Sequence, residues 1–307
     1  MTARFELWAV FGVAITAMLF IDLFVVNRKS HAISVKEALK WVAIWVGAAL
    51  FFCVGIFFLM GKVKALEFLT GYILEESLSV DNLFVFIMIF EYLHVPRTFQ
   101  PRVLKWGIIG AIVLRALFII AGVGLFTKFG WIVYVFGAFL IFTAVKLVLR
   151  KEEKFEPEKN PLLRLFRRFF RVSAEYHEDR FFVLHSGAWA ATPLFIALLL
   201  IESSDVIFAM DSIPAVLAVT RDPFIVYTSN IFAILGLRSL FFVISGMMPV
   251  FRYLKLGISA ILCFVGVKML ISHFVEIDIR ISLAVIFGLL AASMLASVIF
   301  KEKGKAL

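Results

Sequence analysis

The chain has 307 residues, 63% of them hydrophobic, and its 36 phenylalanines supply more apolar surface than a water-soluble core of this length buries. This composition excludes an ordinary soluble domain and predicts a polytopic membrane protein. The net charge of +9 does not indicate a nucleic-acid partner, because the basic residues alternate with apolar stretches and are typical of loops that set membrane orientation.

The first apolar stretch, residues 5–26, is predicted to remain in the protein as a transmembrane helix. It is longer than the hydrophobic part of a signal peptide, and no small-residue cleavage pattern follows it. Asp22 lies near its inner end, where its depth favours an interfacial position over a ligand role. With a second span at 41–60, this helix forms a predicted two-span segment at 1–66.

Seven further apolar stretches are long enough to cross a bilayer, which takes about 20 residues. They lie at 68–91, 104–126, 131–149, 190–218, 225–247, 257–273 and 281–300. The predicted fold is therefore an all-α polytopic membrane protein with about nine transmembrane helices, and 276–307 forms its last span and basic tail. Lys and Arg are concentrated in the segments that are cytoplasmic if the N-terminus lies outside and the C-terminus inside.

In the predicted span at 68–91, Glu75 and Asp81 are about 240° apart around a regular helix. Their polar groups therefore do not form one stripe. Either protein surrounds this helix on all sides, or the helix is locally unwound at 77–79, as broken helices are in transporters.

The residues between the fifth and sixth spans, 150–188, form a predicted cytoplasmic loop. Arginines alternate with phenylalanines from Arg164 to Arg171, a pattern typical of an amphipathic helix on an anionic leaflet. A solvated linker whose charge only sets the topology explains the pattern equally well.

In the span at 190–218, Glu202 and Asp205 share one helix face because they are three residues apart. Pro193 and Pro214 lie near the two ends of this span and predict a kink or an early break.

The two halves of the chain resemble each other. The residues around Arg115 match those around Arg238, and residues 79–84 match 203–208, at offsets of 123 and 124 positions. Each unit contains three spans, an odd number, so the second copy must be inserted upside down. The two predicted inverted repeats are residues 67–149 and 189–275.

Each repeat carries an acidic stretch inside an apolar span, at 75–82 and at 202–212. Carboxylates at membrane depth cost several kcal/mol unless they are paired, protonated or holding a cation. Inverted repeats commonly hold a polar site at their interface near the membrane midplane. The two stretches therefore predict one shared site.

The donor atoms in these stretches are oxygens: carboxylates, serine hydroxyls and the amides of Asn82 and Asn230. This set suits Mg²⁺, Ca²⁺ or Mn²⁺. Several carboxylates exceed the charge of one divalent ion, so Arg115 and Arg238, or bound protons, must offset the rest.

A structural alternative is that Glu202 and Asp205 pair with Arg238 inside the membrane without binding an ion. Glu76 is more consistent with a neighbour of the site than with a ligand. The thioether of Met210 would shift the preference of the site toward Mn²⁺, but a methionine in an apolar helix is usually a packing residue.

At these residues the sequence resembles the TerC family of bacterial membrane proteins, and within it the Alx-like manganese exporters. The resemblance spans nearly the whole chain, and its two longest motifs are Glu75-x-Ser77-Leu78-x-Val80-Asp81-Asn82 and Glu202-x-Ser204-Asp205-Val206-Ile207-Phe208-Ala209-x-Asp211-Ser212.

The resemblance implies Mn²⁺ efflux across the bacterial inner membrane and, in some members, supply of metal to exported enzymes. Carried over residue by residue, it implies an ion pathway of Glu75, Asp81, Asn82, Glu202, Asp205 and Asp211. We predict a supporting or gating role for Ser77, Ser204, Ser212, Asn230, Arg115 and Arg238.

The leading hypothesis is a secondary transporter of Mn²⁺ without a permanently bound cofactor, and a Ca²⁺/H⁺ exchanger on the same site is its nearest alternative. A second hypothesis is a membrane scaffold that docks partners, such as secretion machinery, through the 150–188 loop. An intramembrane enzyme is not expected, because no His-Glu-x-x-His or paired-Asp protease signature lies inside a span.

Overall fold

A computed structural model describes residues 2–20, 33–149, 160–173, 175–185, 188–247, 253–275 and 277–299. Within these ranges, the helices are α1 (Thr2–Phe20), α2 (Val35–Met60), α3 (Lys62–Tyr92), α4 (Gln100–Lys128), α5 (Ile132–Leu149), α6 (Pro161–Phe169), α7 (Pro193–Leu217), α8 (Pro223–Met247), α9 (Leu254–Ile271) and α10 (Ile279–Ile299). Three strands lie between α6 and α7: β1 (Arg171–Val172), β2 (Phe182–His185) and β3 (Ala188–Ala191).

Seven of the described helices are long and apolar enough to cross a membrane: α2, α4, α5, α7, α8, α9 and α10. α3 is longer but is interrupted by charged residues, and the apolar part of α1, Glu6–Leu19, is shorter. The predicted helical, multi-pass architecture is confirmed. The number of nine spans stays a prediction, and Asp22 lies outside the described residues.

α2 and α3 form a hairpin joined by a single residue. Gly61 connects them with φ of 90°, a left-handed conformation in which a side chain would be strained. The Ser34 hydroxyl caps the start of α2 by accepting a hydrogen bond from the Glu37 amide at 3.3 Å. This short link places the charged first turns of α3 at the same end of the bundle as the end of α2.

α3 is one unbroken helix, so the predicted unwinding at 77–79 is wrong. Residues on every side of its middle are buried, because α2, α7, α8 and α10 pack around it. The Ser77 hydroxyl donates to the Ile73 carbonyl at 2.6 Å, within the intact helix. Protein on all sides is therefore what allows polar groups to face different directions from this helix.

α7 is also continuous through its acidic stretch, so the predicted break is absent there. Pro193 occupies the first turn, where its missing N–H is tolerated. Pro214 lies inside the helix, one turn before its end at Leu217. Because proline has no N–H, the carbonyl of Met210 loses its helical partner and is left as an additional oxygen beside the acidic stretch.

α5 and α9 run antiparallel. Gly137, early in α5, faces the late α9 residue Gly266, and a Cβ on either would come within 2.9 Å of the other's carbonyl oxygen. Ser259, early in α9, donates to the carbonyl of the late α5 residue Ala144 at 2.7 Å. Residues 142–149 resemble residues 264–271 at an offset of 122 positions, so in the predicted repeat Gly137 corresponds to Ser259 and Ala144 to Gly266. The two contacts are therefore exchanged by the predicted repeat, which is the arrangement expected of an inverted repeat.

The described part of the 150–188 loop folds into a small cap of α6 and a three-stranded sheet of order β1-β3-β2. β1 pairs parallel and β2 antiparallel with β3. No strands were predicted for this loop from the sequence. The Tyr176 hydroxyl ties the cap to α3 by donating to the Leu93 carbonyl at 2.6 Å, and burial raises the pKa of Tyr176 to about 12.

α6 confirms the predicted amphipathic helix, but its apolar side faces protein. Leu163 is fully buried, and the Phe166 ring packs against Phe195 of α7 with centroids 5.2 Å apart. Arg164 and Arg167 on the other side are exposed. Contact with an anionic leaflet stays a prediction.

Candidate functional site

The middle of the bundle holds a buried polar group, the central cluster, made of Glu75, Arg115, Asp205, Ser212 and Asn230. The Arg115 Nη1 atom lies 2.7 Å from Oε2 of Glu75 and 2.8 Å from the Ser212 hydroxyl. Its Nη2 atom lies 3.4 Å from Oδ1 of Asp205. One guanidinium thus joins the acidic stretches of both predicted repeats.

Four helices supply these side chains. Glu75 comes from the enclosed middle of α3, Arg115 from α4 and Asn230 from α8. Asp205 and Ser212 are two turns apart on α7 and so share one face. All five are buried, and the Arg115 side chain is only 2% exposed. Water therefore does not screen these charges, and their pairing is strong but costly to break.

Within the described part of the chain, two buried oxygens of the central cluster have no hydrogen-bond donor. Asn230 donates from Nδ2 to Oε1 of Glu75 at 2.5 Å, which leaves its own Oδ1 without a partner. The Oδ2 atom of Asp205 is also buried without a partner. A buried acceptor without a donor costs about 1 to 3 kcal/mol, and a cation or a water molecule would satisfy it.

Glu202 lies one turn before Asp205 on α7 and faces α4. A Cβ at Gly110 would overlap the Glu202 carboxylate, so only glycine leaves room for this side chain. No side chain in the described part of the chain donates a hydrogen bond to this carboxylate, and its neighbour Asp205 repels it. A partly buried acid in this setting favours a cation.

A second acidic pair lies on the side of α7 that faces α5. Asp211 accepts a hydrogen bond from the Thr143 hydroxyl at 3.0 Å. Asp81 is close enough to repel it electrostatically, and Lys146 is close enough to attract it. We call Asp81 and Asp211 the lateral pair. The structure thus separates the six predicted ligands into groups that face different helices.

The remaining predicted residues include the predicted ligand Asn82, whose role stays a prediction. Asn82 is buried on α3, and the Ser204 hydroxyl donates to the carbonyl of Ile201 within α7. Arg238 is buried and lines a small cavity together with Asp205. It therefore lies beside the central cluster, as the sequence repeat with Arg115 predicted.

Two residues that the sequence analysis set apart lie away from the central cluster. Glu76 accepts a hydrogen bond from the Tyr72 hydroxyl at 2.9 Å and faces Gly236 of α8. Met210 is 51% exposed, so its thioether points outward from the bundle. Neither position favours a ligand role.

The described residues contain no group of three or more His, Cys, Asp or Glu side chains placed to hold a metal ion. The reason is geometric: Arg115 takes the position between Glu75 and Asp205, while Asp211 faces α5. In this arrangement the guanidinium supplies the positive charge that a divalent ion would supply. Coordination of one ion by the predicted set stays a prediction.

Three residues at the site were not found by the sequence analysis. Gly110 lies five residues before Arg115 on α4, and in the sequence it is just one glycine in an apolar stretch. Thr143 is a small polar residue in the middle of a largely apolar helix, a signal that could have been noticed. Asn160 donates from Nδ2 to the hydroxyl of Ser203 at 2.8 Å, next to Glu202, and no local pattern predicts this contact across 43 positions.

The sequence model of the integral membrane protein TerC family matches residues 60–305 of this chain. An uncharacterized membrane protein of Myxococcus xanthus is 52% identical over 293 residues, which cover 95% of this chain and 92% of that protein.

In Escherichia coli K12, a protein with the name "Putative membrane-bound redox modulator Alx" is 46% identical over 298 residues, covering 94% of this chain and 93% of the relative. An uncharacterized membrane protein of Rickettsia bellii is 40% identical and covers 96% of this chain and 98% of its own length. No solved structure matches the chain.

Proposed function

The chain belongs to the integral membrane protein TerC family, and on that premise we propose that it is a secondary transporter that exports divalent metal cations, with Mn²⁺ as the substrate. The cation passes through a carboxylate site between two inverted repeats and is exchanged for protons. The proposal places nine spans in the bacterial inner membrane, with the N-terminus outside and the C-terminus in the cytoplasm.

The observation that carries this proposal is the position of Arg115. Its guanidinium sits between Glu75 and Asp205, one acid from each predicted repeat, at a depth where water is excluded. A buried site with two acids requires a cation or bound protons to offset their charge. We infer that Arg115 serves as the built-in cation when no metal is bound, and that the metal ion displaces it from the two carboxylates.

The choice of substrate rests on the donor atoms. The central cluster offers carboxylate, amide and hydroxyl oxygens, with Asp205 Oδ2 and Asn230 Oδ1 lacking donors. Glu202 adds a third carboxylate within one turn of Asp205. Oxygen ligands suit Mn²⁺, Mg²⁺ and Ca²⁺, and the resemblance to manganese exporters selects the first of these.

The antiparallel packing of α5 against α9 supports the inverted repeats on which alternating access depends. If the repeats rock against each other, the contacts of Arg115 must change, because it contacts both α3 and α7. The substrate and the transport conformations are thereby linked through one side chain.

Transport into proteoliposomes tests the proposal. The purified protein is reconstituted, a pH gradient is imposed, and uptake of Mn²⁺, Ca²⁺ and Mg²⁺ is compared at equal concentration. Mn²⁺ uptake that depends on the pH gradient supports the proposal. Faster Ca²⁺ than Mn²⁺ uptake would favour the Ca²⁺/H⁺ exchanger, and transport of none of the three would overturn both.

The scaffold remains the second candidate because the cap carries an exposed apolar pair. Leu184 of β2 lies directly opposite Trp189 of β3, and the two side chains are 65% and 67% exposed. An exposed apolar pair of this kind can contact a partner protein, and we propose exported metalloenzymes or secretion machinery as candidates. Anionic lipid is a second candidate, because Arg164 and Arg167 are exposed on the same cap. Deleting the loop would not separate the two functions, because Asn160 and Leu163 also contact the membrane helices.

A further inference from the structure

One end of the bundle encloses a cavity of about 490 Å³, which we call the outer cavity. It lies where α2 turns into α3 and where α7 is linked to α8, and on the proposed topology this end faces outside. Its polar lining consists of Lys64, Glu67, Thr220, Arg221, Asp222, Lys268 and Ser272. A cavity lined by this many charged groups holds water, so an ion that enters it can stay hydrated.

A network of charges lines this cavity between α3 and the α7–α8 link. The Lys64 ammonium lies 2.7 Å from Oε2 of Glu67 and 3.6 Å from Oδ2 of Asp222. The Thr220 hydroxyl donates to the same Glu67 oxygen at 2.5 Å. Lys64 thus ties the start of α3 to a segment of the second repeat.

The outer cavity and the central cluster lie along one face of α3. Lys64, Glu67, Gly71 and Glu75 follow one another at spacings of three or four residues, so they form a stripe that spans about 16 Å. Gly71 is the narrow point of this stripe. A Cβ there would come 2.9 Å from the Ser229 hydroxyl and 3.4 Å from Val216, so the helices touch and the path is shut.

We propose that the outer cavity is the external vestibule of the ion path and that Lys64 is a positioning residue that holds the path closed at Gly71. This inference rests on the proposed transport function and adds the exit side of the route. The same principle operates at both ends of the stripe: a fixed cation bridges an acid of α3 to an acid of the second repeat, Arg115 at the central cluster and Lys64 at the vestibule.

The physical consequence is an exchange of partners. When a hydrated divalent cation reaches the vestibule, Glu67 and Asp222 attract it and Lys64 is released from them. Release removes the Lys64 tie between α3 and the α7–α8 link and leaves only the Thr220–Glu67 hydrogen bond, which weakens the contact between Gly71 and Ser229. Without the Lys64 charge, this contact should open more often even in the absence of a cation.

Thiol labelling of intact cells tests the inference. The reporter is Val216→Cys, at the narrow point, in a chain in which Cys53 and Cys263 are replaced by alanine, and a membrane-impermeant maleimide is added outside. Lys64→Met is expected to raise the labelling rate roughly fivefold, because one partly exposed ion pair is lost. Lys62→Met is the matched control, since Lys62 is exposed on the first turn of α3 and no partner in the described residues is known for it.

Two further variants keep the result interpretable. Asp222→Asn removes the other charge of the pair but keeps the oxygen that caps α8 by accepting from the Phe224 amide at 3.1 Å, so it should raise labelling as Lys64→Met does. Val219→Cys, inside the cavity, should be labelled from outside in every background.

Each outcome decides one part of the inference. Unchanged Val216→Cys labelling in both Lys64→Met and Asp222→Asn overturns the role of Lys64, and protection of Val219→Cys from the external reagent overturns the vestibule. If Lys62→Met raises the Val216→Cys labelling rate as much as Lys64→Met does, the role of Lys64 is also overturned. Because labelling is measured without transport, these failures are distinct from a wild-type protein that transports no metal, which would overturn the proposed function alone.

Discussion

The guanidinium of Arg115 and the carboxylate of Glu75 form an ion pair with an N–O distance of 2.7 Å across 40 positions, and both side chains are almost fully buried. Neither charge has access to bulk water. The pair therefore holds α3 and α4 together, and the acid cannot lose this partner without gaining another cation or a proton.

The first prediction concerns removal of the positive charge. Arg115→Met leaves Glu75 buried without its cation, which should lower the free energy of unfolding by about 3 to 5 kcal/mol. Thermal unfolding in detergent measures the loss. Because a metal ion can replace the missing charge, added Mn²⁺ should raise the melting temperature of the variant more than that of the wild type.

A double variant separates stability from transport. Arg115→Met combined with Glu75→Gln removes both charges of the pair, so much of the lost stability should return while transport stays absent. If the double variant transports as well as the wild type, the pair is structural and the central cluster is not the ion site.

The second prediction concerns Asp205. Asp205→Asn keeps the size of the side chain but removes one charge, so Mn²⁺ efflux should fall on the order of tenfold or more. The control is Glu91→Gln, an exposed acid at the end of α3. Normal efflux by Asp205→Asn in proteoliposomes would instead favour the scaffold hypothesis, in which the acids serve only internal pairing.

The sequence was sufficient to locate the helices and the polar residues, because apolar length and intramembrane charge are local signals. It did not determine the partners. Asp205 was weighed as a partner of Arg238, and the structure also places the guanidinium of Arg115 3.4 Å from its carboxylate, a contact that periodicity could not predict because both arginines occupy matching positions in the sequence.

The residues of α3 left its enclosure by protein as one of two alternatives, beside local unwinding at 77–79. Glu75 and Asp81 point in different directions from one straight helix, and only the packing of four neighbouring helices makes both positions tolerable. The sheet of the cap was missed for a related reason: β1 has two residues and β3 four, lengths at which strand patterns carry almost no signal.

The third prediction uses two glycines of α4. A methyl group at Gly110 would displace the flexible end of Glu202, whereas one at Gly124 meets nothing within 4 Å. Gly110→Ala should therefore reduce the Mn²⁺ transport rate roughly threefold or more while the protein stays folded, because the ligand is moved from its position. Gly124→Ala should transport normally, and equal losses in both variants would show that α4 merely tolerates no substitution.

The fourth prediction concerns protons. Carboxylate ligands bind a metal in their ionised form, so metal binding should release about one to two protons and weaken as the pH falls. The sign follows because acidic pH favours the protonated acids, which compete with the ion. Calorimetric titration of Mn²⁺ in two buffers of different ionisation enthalpy measures the number released, and the same heat in both buffers would exclude proton exchange at the site.

The last prediction tests the antiparallel contact on which the inverted repeat depends. A methyl group at Gly137 would lie 2.9 Å from the carbonyl oxygen of Gly266, and backbone atoms cannot move aside as a side chain can. Gly137→Ala and Gly266→Ala should each cost about 1 to 3 kcal/mol of stability, because α5 and α9 must separate. Gly288→Ala on α10, with nothing within 4 Å, is the matched control and should leave the melting temperature unchanged. Since the same contact joins the two repeats, their separation should also impair transport, and substitutions that change neither property would show that α5 and α9 do not pack at these glycines.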